Sequence, residues 1–253
     1  MSIESLMEVF IIHLPTHIER RQQMESQMKR IGITTYRFVT PVVINDIDVS
    51  DKINRPSRSL YETNIALMEM AMGQHQTTAS PYVLILEDDI VPTVSPEKVI
   101  PTIEKTLRNL KTIPTEWDML YLEYCWETCL FQKTVVPGLI QSRNPLCTAA
   151  ILYRRDKFPK ILSLIAPHRK EKQIDKVYKQ LIYEKKLNAY SVYPALFRQD
   201  TQQFQSSLDT FYTKRFLFGY SSCDTVMWAK IGMVIITLLI ISILIRMRIA
   251  KNT

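Results

Sequence analysis

An apolar run, EVFIIHLP, occupies residues 8–15, and its length and composition predict a buried β-strand. THIERRQQMESQMKRIG (16–32) follows and predicts a helix, with Thr16 as its N-cap and Gly32 closing it. TTYRFVTPVVI (34–44) is a second strand-like segment, and the polar, broken NDIDVSDKINRPSRS (45–59) reads as a surface loop. LYETNIALMEMAMGQHQ (60–76) predicts a second helix, with Gly73 near its end. PYVLILEDDIV (81–91) is the next strand, SPEKVIPTIEKTLRNLK (95–111) another helix and EWDMLYLEY (116–124) another strand. Such alternation of strand and helix produces an α/β domain with a mostly parallel sheet covered on both faces.

The pattern changes at the C-terminus. IGMVIITLLIISILI, residues 231–245, carries no charge over fifteen positions. That is short of the roughly 20 residues that span about 30 Å of hydrocarbon. Met227, Trp228, Ala229 and a snorkelling Lys230 extend its usable length, and Arg246, Arg248 and Lys251 close the far side. The expectation is a transmembrane anchor at 227–247, after a domain at 1–212 and a juxtamembrane linker at 213–226, and before a short basic tail at 248–253. The N-terminal stretch has no basic region and no small-residue cleavage site, so a single-pass protein anchored by its C-terminus with a cytosolic domain is expected. Basic residues flank the apolar run equally, which leaves the positive-inside rule without a preference. No Asn-x-Ser/Thr sequon with a permitted middle residue precedes the tail, in keeping with a cytosolic domain.

Composition supports a folded chain: 46% hydrophobic and 23% charged residues over 253 positions allow one sizeable α/β domain. The net charge of +7 is concentrated between Arg154 and Lys186, including HRKEKQIDKVYKQ. A solvated amphipathic helix explains that run better than nucleic acid does, and attraction to an anionic membrane surface or a phosphate-bearing substrate is a third reading. The four cysteines are Cys125, Cys129, Cys147 and Cys223. Their spacing matches neither a thioredoxin-type pair nor a zinc knuckle, so reduced, partly buried thiols are expected.

The concentrated chemistry lies in YVLILEDDIVP (82–92), where an apolar strand runs into Glu87, Asp88 and Asp89. Ligands of open α/β sheets gather at the carboxyl ends of strands. Clustered carboxylates at such an end repel one another unless a cation compensates them, and hard ions such as Mg²⁺ or Mn²⁺ take oxygen ligands. Three solvated acids in a surface turn are the alternative.

Several short motifs resemble glycosyltransferase family 25, the lipopolysaccharide-biosynthesis and collagen-galactosyltransferase type. FIIHLPTHIERR is similar to the family's first strand and arginine-bearing loop, with His13 and Leu14 at the strand exit and Arg20 on the arginine. TNIALMEMA places Thr63 and Asn64 at the positions of a Ser-His pair. The L-E-D-D motif is present as Leu86 to Asp89, and WDMLYLEY resembles a W-D-x-x-Y-L strand. CTAAILYRRDKFPKIL looks like the segment in which a strand runs into a helix. QIDKVYKQLI carries Asp175 where the family has a V-D pair, and VYPALFRQDTQQFQSSL matches a closing segment through Pro194, Gln199, Ser206 and Ser207. The resemblance runs from about Val9 to Leu208 in consistent order, with His13 and Asn64 departing from the preferred residues.

The resemblance implies a GT-A-type nucleotide-sugar-binding fold, with a Rossmann-like mixed sheet, and inverting transfer of a hexose from a UDP-sugar to a glycan, lipid-linked or protein acceptor. Galactose and glucose are the first candidates. It implies Mn²⁺ or Mg²⁺ on Asp89 with Glu87 or Asp88, and a nucleotide-sugar site that includes Arg20, His13, Leu14 and Asn64. The general base is Asp175, with Glu123 as runner-up; a charge on a solvated helix face is the alternative for Asp175. Trp117 and Trp126 are candidates for an acceptor groove or for the core. His13 and His17 straddle a strand-to-loop junction, which does not suit a metal pair. A catalytically inactive relative acting as a membrane-tethered scaffold is the competing function, and a basic protein binding nucleic acid or lipid head groups a more distant one.

Overall fold

The computed structural model describes residues 6–45, 52–73, 80–125, 127, 134–200 and 232–242. In chain order the elements are β1 (Met7–Ile12), α1 (Ile18–Ile31), β2 (Arg37–Val39), α2 (Arg55–Met72), β3 (Tyr82–Glu87), β4 (Ile90–Pro92), α3 (Val99–Lys111) and β5 (Met119–Tyr121). Then come β6 (Thr134–Val136), β7 (Leu139–Gln141), β8 (Ala150–Arg154), α4 (Phe158–Ile165), α5 (Ile174–Tyr183), β9 (Ala189–Val192) and β10 (Phe197–Gln199).

Eight strands form one mixed sheet in the order β2-β1-β3-β8-β5-β9-β7-β6, and β4 pairs with β10 in a separate ribbon. The parallel pairs are β1–β2, β1–β3 and β5–β9. β8 and β7 run against the other strands of the sheet. Strand–helix alternation predicts a mostly parallel sheet, and β8 is an antiparallel member of it for a topological reason. The chain leaves β5 at its carboxyl end, and Cys125 bridges Leu146 at that same end. It therefore re-enters between β3 and β5 from that end and runs antiparallel to both.

Side chains alternate between the two faces with the period of two that an extended backbone imposes. Val9 and Ile11 of β1, Leu84 and Leu86 of β3 and Leu152 of β8 face α1 and α3 through Met24, Met28, Ile103 and Leu107. Phe10, Val83, Ile85, Ile151 and Tyr153 face the other way, onto α2, α4 and α5 through Tyr61, Met68, Phe158, Ile161 and Tyr178. Strands buried on both faces explain why YVLIL reads as a continuous apolar run.

Gly32 adopts φ 89°, and its N–H bonds back to the last turn of α1. At the other end of that helix the N-cap is His17 rather than Thr16, and its side chain makes no capping bond. The expected loop at 45–59 is shorter than its polarity implies. Asn54 caps Ser57 N–H and Pro56 sits in the first turn, so α2 begins at Arg55. The basic stretch from Arg154 contains α4 and α5, each with one face buried in the core. β6 and β7 form a hairpin, with Gly138 at φ 84° in its turn, that the apolar pattern does not announce.

Residues 232–242 form a helix whose apolar side chains, among them Val234, Ile235, Leu238 and Leu239, are exposed. Among the described residues, no helix is long and apolar enough to cross a membrane. The expected linker, both ends of the anchor and the tail, with Trp126, Cys129, Ser206, Ser207, Cys223 and Trp228, lie outside the described residues.

Candidate active site

β1, β3 and β5 all end on one edge of the sheet, in register through Ile12 beside Glu87 and through β8 to Tyr121. β3 is buried to its last apolar residue and delivers Glu87 at the edge. Asp88 and Asp89 form the turn into β4, only 6% and 5% exposed. The β4–β10 pairing places Gln199 beside Ile90, and so beside that turn. Gln27 of α1 fixes the turn from the other side by donating to the Ile90 carbonyl at 3.0 Å.

The three carboxylates have different partners. Asp88 Oδ1 accepts from Arg20 Nη1 at 2.9 Å, and its Oδ2 meets His13 Nδ1 at 2.7 Å. Asp89 lies 3.7 Å from Arg20 Nη1, and Gln199 Nε2 reaches its two oxygens at 3.4 and 3.5 Å. Glu87 Oε1 accepts from the Thr148 hydroxyl at 3.1 Å, and Glu87 N–H donates to the Ala149 carbonyl at 2.8 Å. Asp88 is thus held by two cationic or hydrogen-bonding side chains. Glu87 and Asp89 have mainly neutral donors.

Electrostatics follow from that division. Burial, then the nearby Asp89 charge, pushes Glu87 up to about 8. Burial also raises Asp89, against the lowering influence of Arg20. Glu123, two residues past β5 and 1% exposed, is raised well above the usual carboxylate range by burial and by Glu87 and Asp89. Its Oε2 has no hydrogen-bond partner in the structure. Asp175, half-buried in the first turn of α5, is close enough to raise Glu87 further. Acidic oxygens gathered in a poorly solvated place, one of them unpartnered, form a donor set that suits a hard divalent cation. Glu87 and Asp89 are the residues that would hold it, and Glu123 lies near enough to feel both of their charges.

His13, Arg20, Asp88 and Asp89 therefore come together beside Glu87, and Glu123 and Asp175 lie near enough to interact with Glu87 through charge. Asn64 does not join them by any described contact. It is buried in α2, and its Nδ2 donates to the Leu60 carbonyl one turn back. Neighbouring Thr63 is engaged with Ser59 and the Val42 N–H. Leu14 lies at the surface just past β1, where its carbonyl accepts from His17 N–H. Trp117 precedes β5, stacks on Tyr82 with centroids 5.6 Å apart, and sits at the opposite end of the sheet from the carboxylates, in the core rather than a groove beside them.

Thr148 and Ala149 sit in the CTAAILYRR segment but are not marked as site residues by type, and Gln27 lies in no motif; only the register of β8 on β3 brings the first two to Glu87. The cysteines also differ from expectation. Cys125 and Cys147 are joined in a disulfide with Cα atoms 5.7 Å apart. Their contact follows from the Cys125–Leu146 bridge, a tertiary relationship that sequence spacing does not encode.

No family model matches the chain and no curated protein matches it, so a place in glycosyltransferase family 25 stands on the motifs alone. Among solved structures, the chain is similar to a glycosyltransferase involved in glycosylation of the major capsid of PBCV-1 (TM-score 0.46, 11% identity, 80% of this chain and 95% of that one). It is also similar to a mutant Drosophila β1,4-galactosyltransferase 7 in complex with manganese, UDP-Gal and xylobiose (TM-score 0.39, 10% identity, 87% and 83%). An apo UDP-glucose pyrophosphorylase is similar at TM-score 0.38 and 9% identity over 78% and 76% of the two chains. All of these scores lie below 0.5, and what this chain can do is decided by its own residues.

Proposed function

We propose that the chain is a metal-dependent glycosyltransferase that moves a hexose from a UDP-sugar to a glycan, lipid-linked or protein acceptor, with inversion. The observation that carries this reading is the pairing of a neutralised Asp88 with two under-neutralised carboxylates, Glu87 and Asp89, at the carboxyl ends of the central strands. A surface turn of solvated acids would not need a buried arginine and histidine to hold its middle member. Mn²⁺ or Mg²⁺, when bound, supplies positive charge to a diphosphate leaving group.

The protein's own residues divide the remaining work. Arg20 and His13 clamp Asp88 and thereby set the orientation of the whole turn. Gln199 and Thr148 orient Asp89 and Glu87. Asp175, half-buried and near enough for its charge to act on Glu87, is the general base that takes the proton of an acceptor hydroxyl, and Glu123 is the second candidate. The exposed apolar helix at 232–242 supports anchoring in a membrane beside a lipid-linked or membrane-proximal acceptor, with the domain on the cytosolic side. Protease protection in intact vesicles tests that topology; complete protection of the domain overturns it.

The experiment is calorimetric titration of UDP into the full chain in detergent, with and without Mn²⁺, for the native protein and Asp89→Ala, alongside hydrolysis of a UDP-sugar panel. Mn²⁺-dependent binding that the variant loses is the expected result, and turnover names the donor. Asp175→Asn then lowers turnover by about 10²-fold or more while leaving UDP binding intact. Absence of UDP binding under every condition overturns the proposal.

A further inference from the structure

The disulfide lies against the acidic site. Cys125 follows β5 and is buried, while Cys147, just ahead of β8, is half-buried. One Glu123 oxygen and both sulfurs lie within 4.8 Å of one another. Cys125 and Leu146 exchange both main-chain hydrogen bonds at 3.0 Å, so the chains are already paired where the covalent bond joins them.

We propose that Cys125 and Cys147 form a reversible redox-modification site whose closed form keeps the carboxylates competent to bind a divalent ion, an inference that rests on the metal-dependent reading above. The residues just after Cys147 connect the two sites. Thr148 donates its hydroxyl to Glu87, Ala149 accepts the Glu87 N–H, and Ala149 hydrogen-bonds through its main chain to Glu123. Cys147 itself has φ 69°, a left-handed conformation that is costly for a residue with a Cβ. The cystine and the flanking bridge hold it there. Opening the cystine removes one of those restraints, so Cys147 relaxes and the strap that positions Glu87 and Glu123 loosens.

The chemistry is ordinary thiol–disulfide exchange with a small dithiol. One dithiol sulfur attacks the sulfur of Cys147, the less buried of the pair, the S–S bond breaks, and Cys125 leaves as a thiolate that takes up a proton. The second dithiol sulfur then displaces Cys147 from the mixed disulfide. The protein gains two electrons and two protons, and the dithiol becomes a disulfide. On the cytosolic side proposed above, a reducing environment therefore holds the site open at rest, and an oxidising stimulus closes it into the ion-binding form.

The test uses the full chain in detergent, oxidised, or reduced with a dithiol that is then removed, together with the Cys125→Ala/Cys147→Ala double variant. Thiol alkylation and peptide mapping establish the pairing, and calorimetry measures Mn²⁺ affinity. The oxidised form is expected to bind Mn²⁺ at least about fivefold more tightly than the reduced form, with the double variant matching the reduced form and reoxidation restoring affinity. Equal affinity in the two states, or pairing of Cys125 with a different cysteine, overturns the proposal. If Mn²⁺ binds in neither state, the metal-dependent reading falls, and amide exchange at Thr148 and Ala149 decides the strap separately: slower exchange in the oxidised form retains it, and equal exchange removes it.

Discussion

His13 Nδ1 and Asp88 Oδ2 lie 2.7 Å apart although 75 positions separate them in the chain. Both are buried, and Arg20 completes the contact on the other carboxylate oxygen. Asp88 is therefore the member of the acidic triplet that buried side chains hold by both oxygens.

Removing that carboxylate should cost stability. Asp88→Ala leaves the buried Arg20 with only the longer Asp89 contact from this triplet, and a buried ion pair broken on one side loses about 3 kcal/mol. His13→Asn retains a donor for Asp88 and should lose about 1 kcal/mol. Urea denaturation of the two variants measures the difference, and equal costs would show that Asp88 is not the centre of the contact.

Asp89 should trade stability for binding. Asp89→Asn relieves a buried charge beside Glu87 while keeping an acceptor for Gln199, so the chelator-treated variant is expected to gain about 1 kcal/mol, or roughly 2–4 °C in Tm. The same variant should also lack the Tm increase that Mn²⁺ is expected to give the native protein. A variant that is less stable and still responds to Mn²⁺ would contradict both roles.

Glu87 predicts a pH dependence. Its folded pKa, near 8, lies above the unfolded value of 4.5, so between those values the folded state binds a proton that the unfolded state does not. Stability of the metal-free protein should therefore be greatest below about pH 4.5 as far as this group is concerned, and fall by up to about 1.4 kcal/mol per pH unit until about pH 8. Asp89 and Glu123 are shifted in the same direction. Glu87→Gln should flatten the slope, and Mn²⁺ binding should release protons below pH 8. Melting curves across the pH range, in chelator and in Mn²⁺, measure both.

Gly32 offers a control away from the site. A Cβ there would meet no atom within 4 Å, so Gly32→Ala tests conformation alone at φ 89°. A cost of about 1 kcal/mol is expected, with Mn²⁺ binding unchanged. A larger loss would mean that the turn after α1 repositions Arg20.

Much of the scaffold was legible along the chain. VLIL in β3 and FII in β1 are apolar at every position because they are covered on both faces, and Gly32 marks the end of α1 because few other residues accept its backbone. The acidic triplet and the motifs around His13, Arg20 and Asp175 also pointed to one strand edge. These are local signals: a run, a period or a turn residue is enough to carry them.

The division of labour among those residues was not local. Glu87, Asp88 and Asp89 are interchangeable as consecutive acids, and only the pairing of β1 with β3 and the placement of α1 commit Asp88 to His13 and Arg20. Asn64 carried the same kind of motif signal as His13, yet the helix turns it toward its own backbone. Cys125 meets Cys147, and Thr148 meets Glu87, because β8 inserts in reverse between β3 and β5. Strand insertion and long-range charge pairing depend on which surfaces are buried together, a property of the whole sheet that no short stretch of sequence contains.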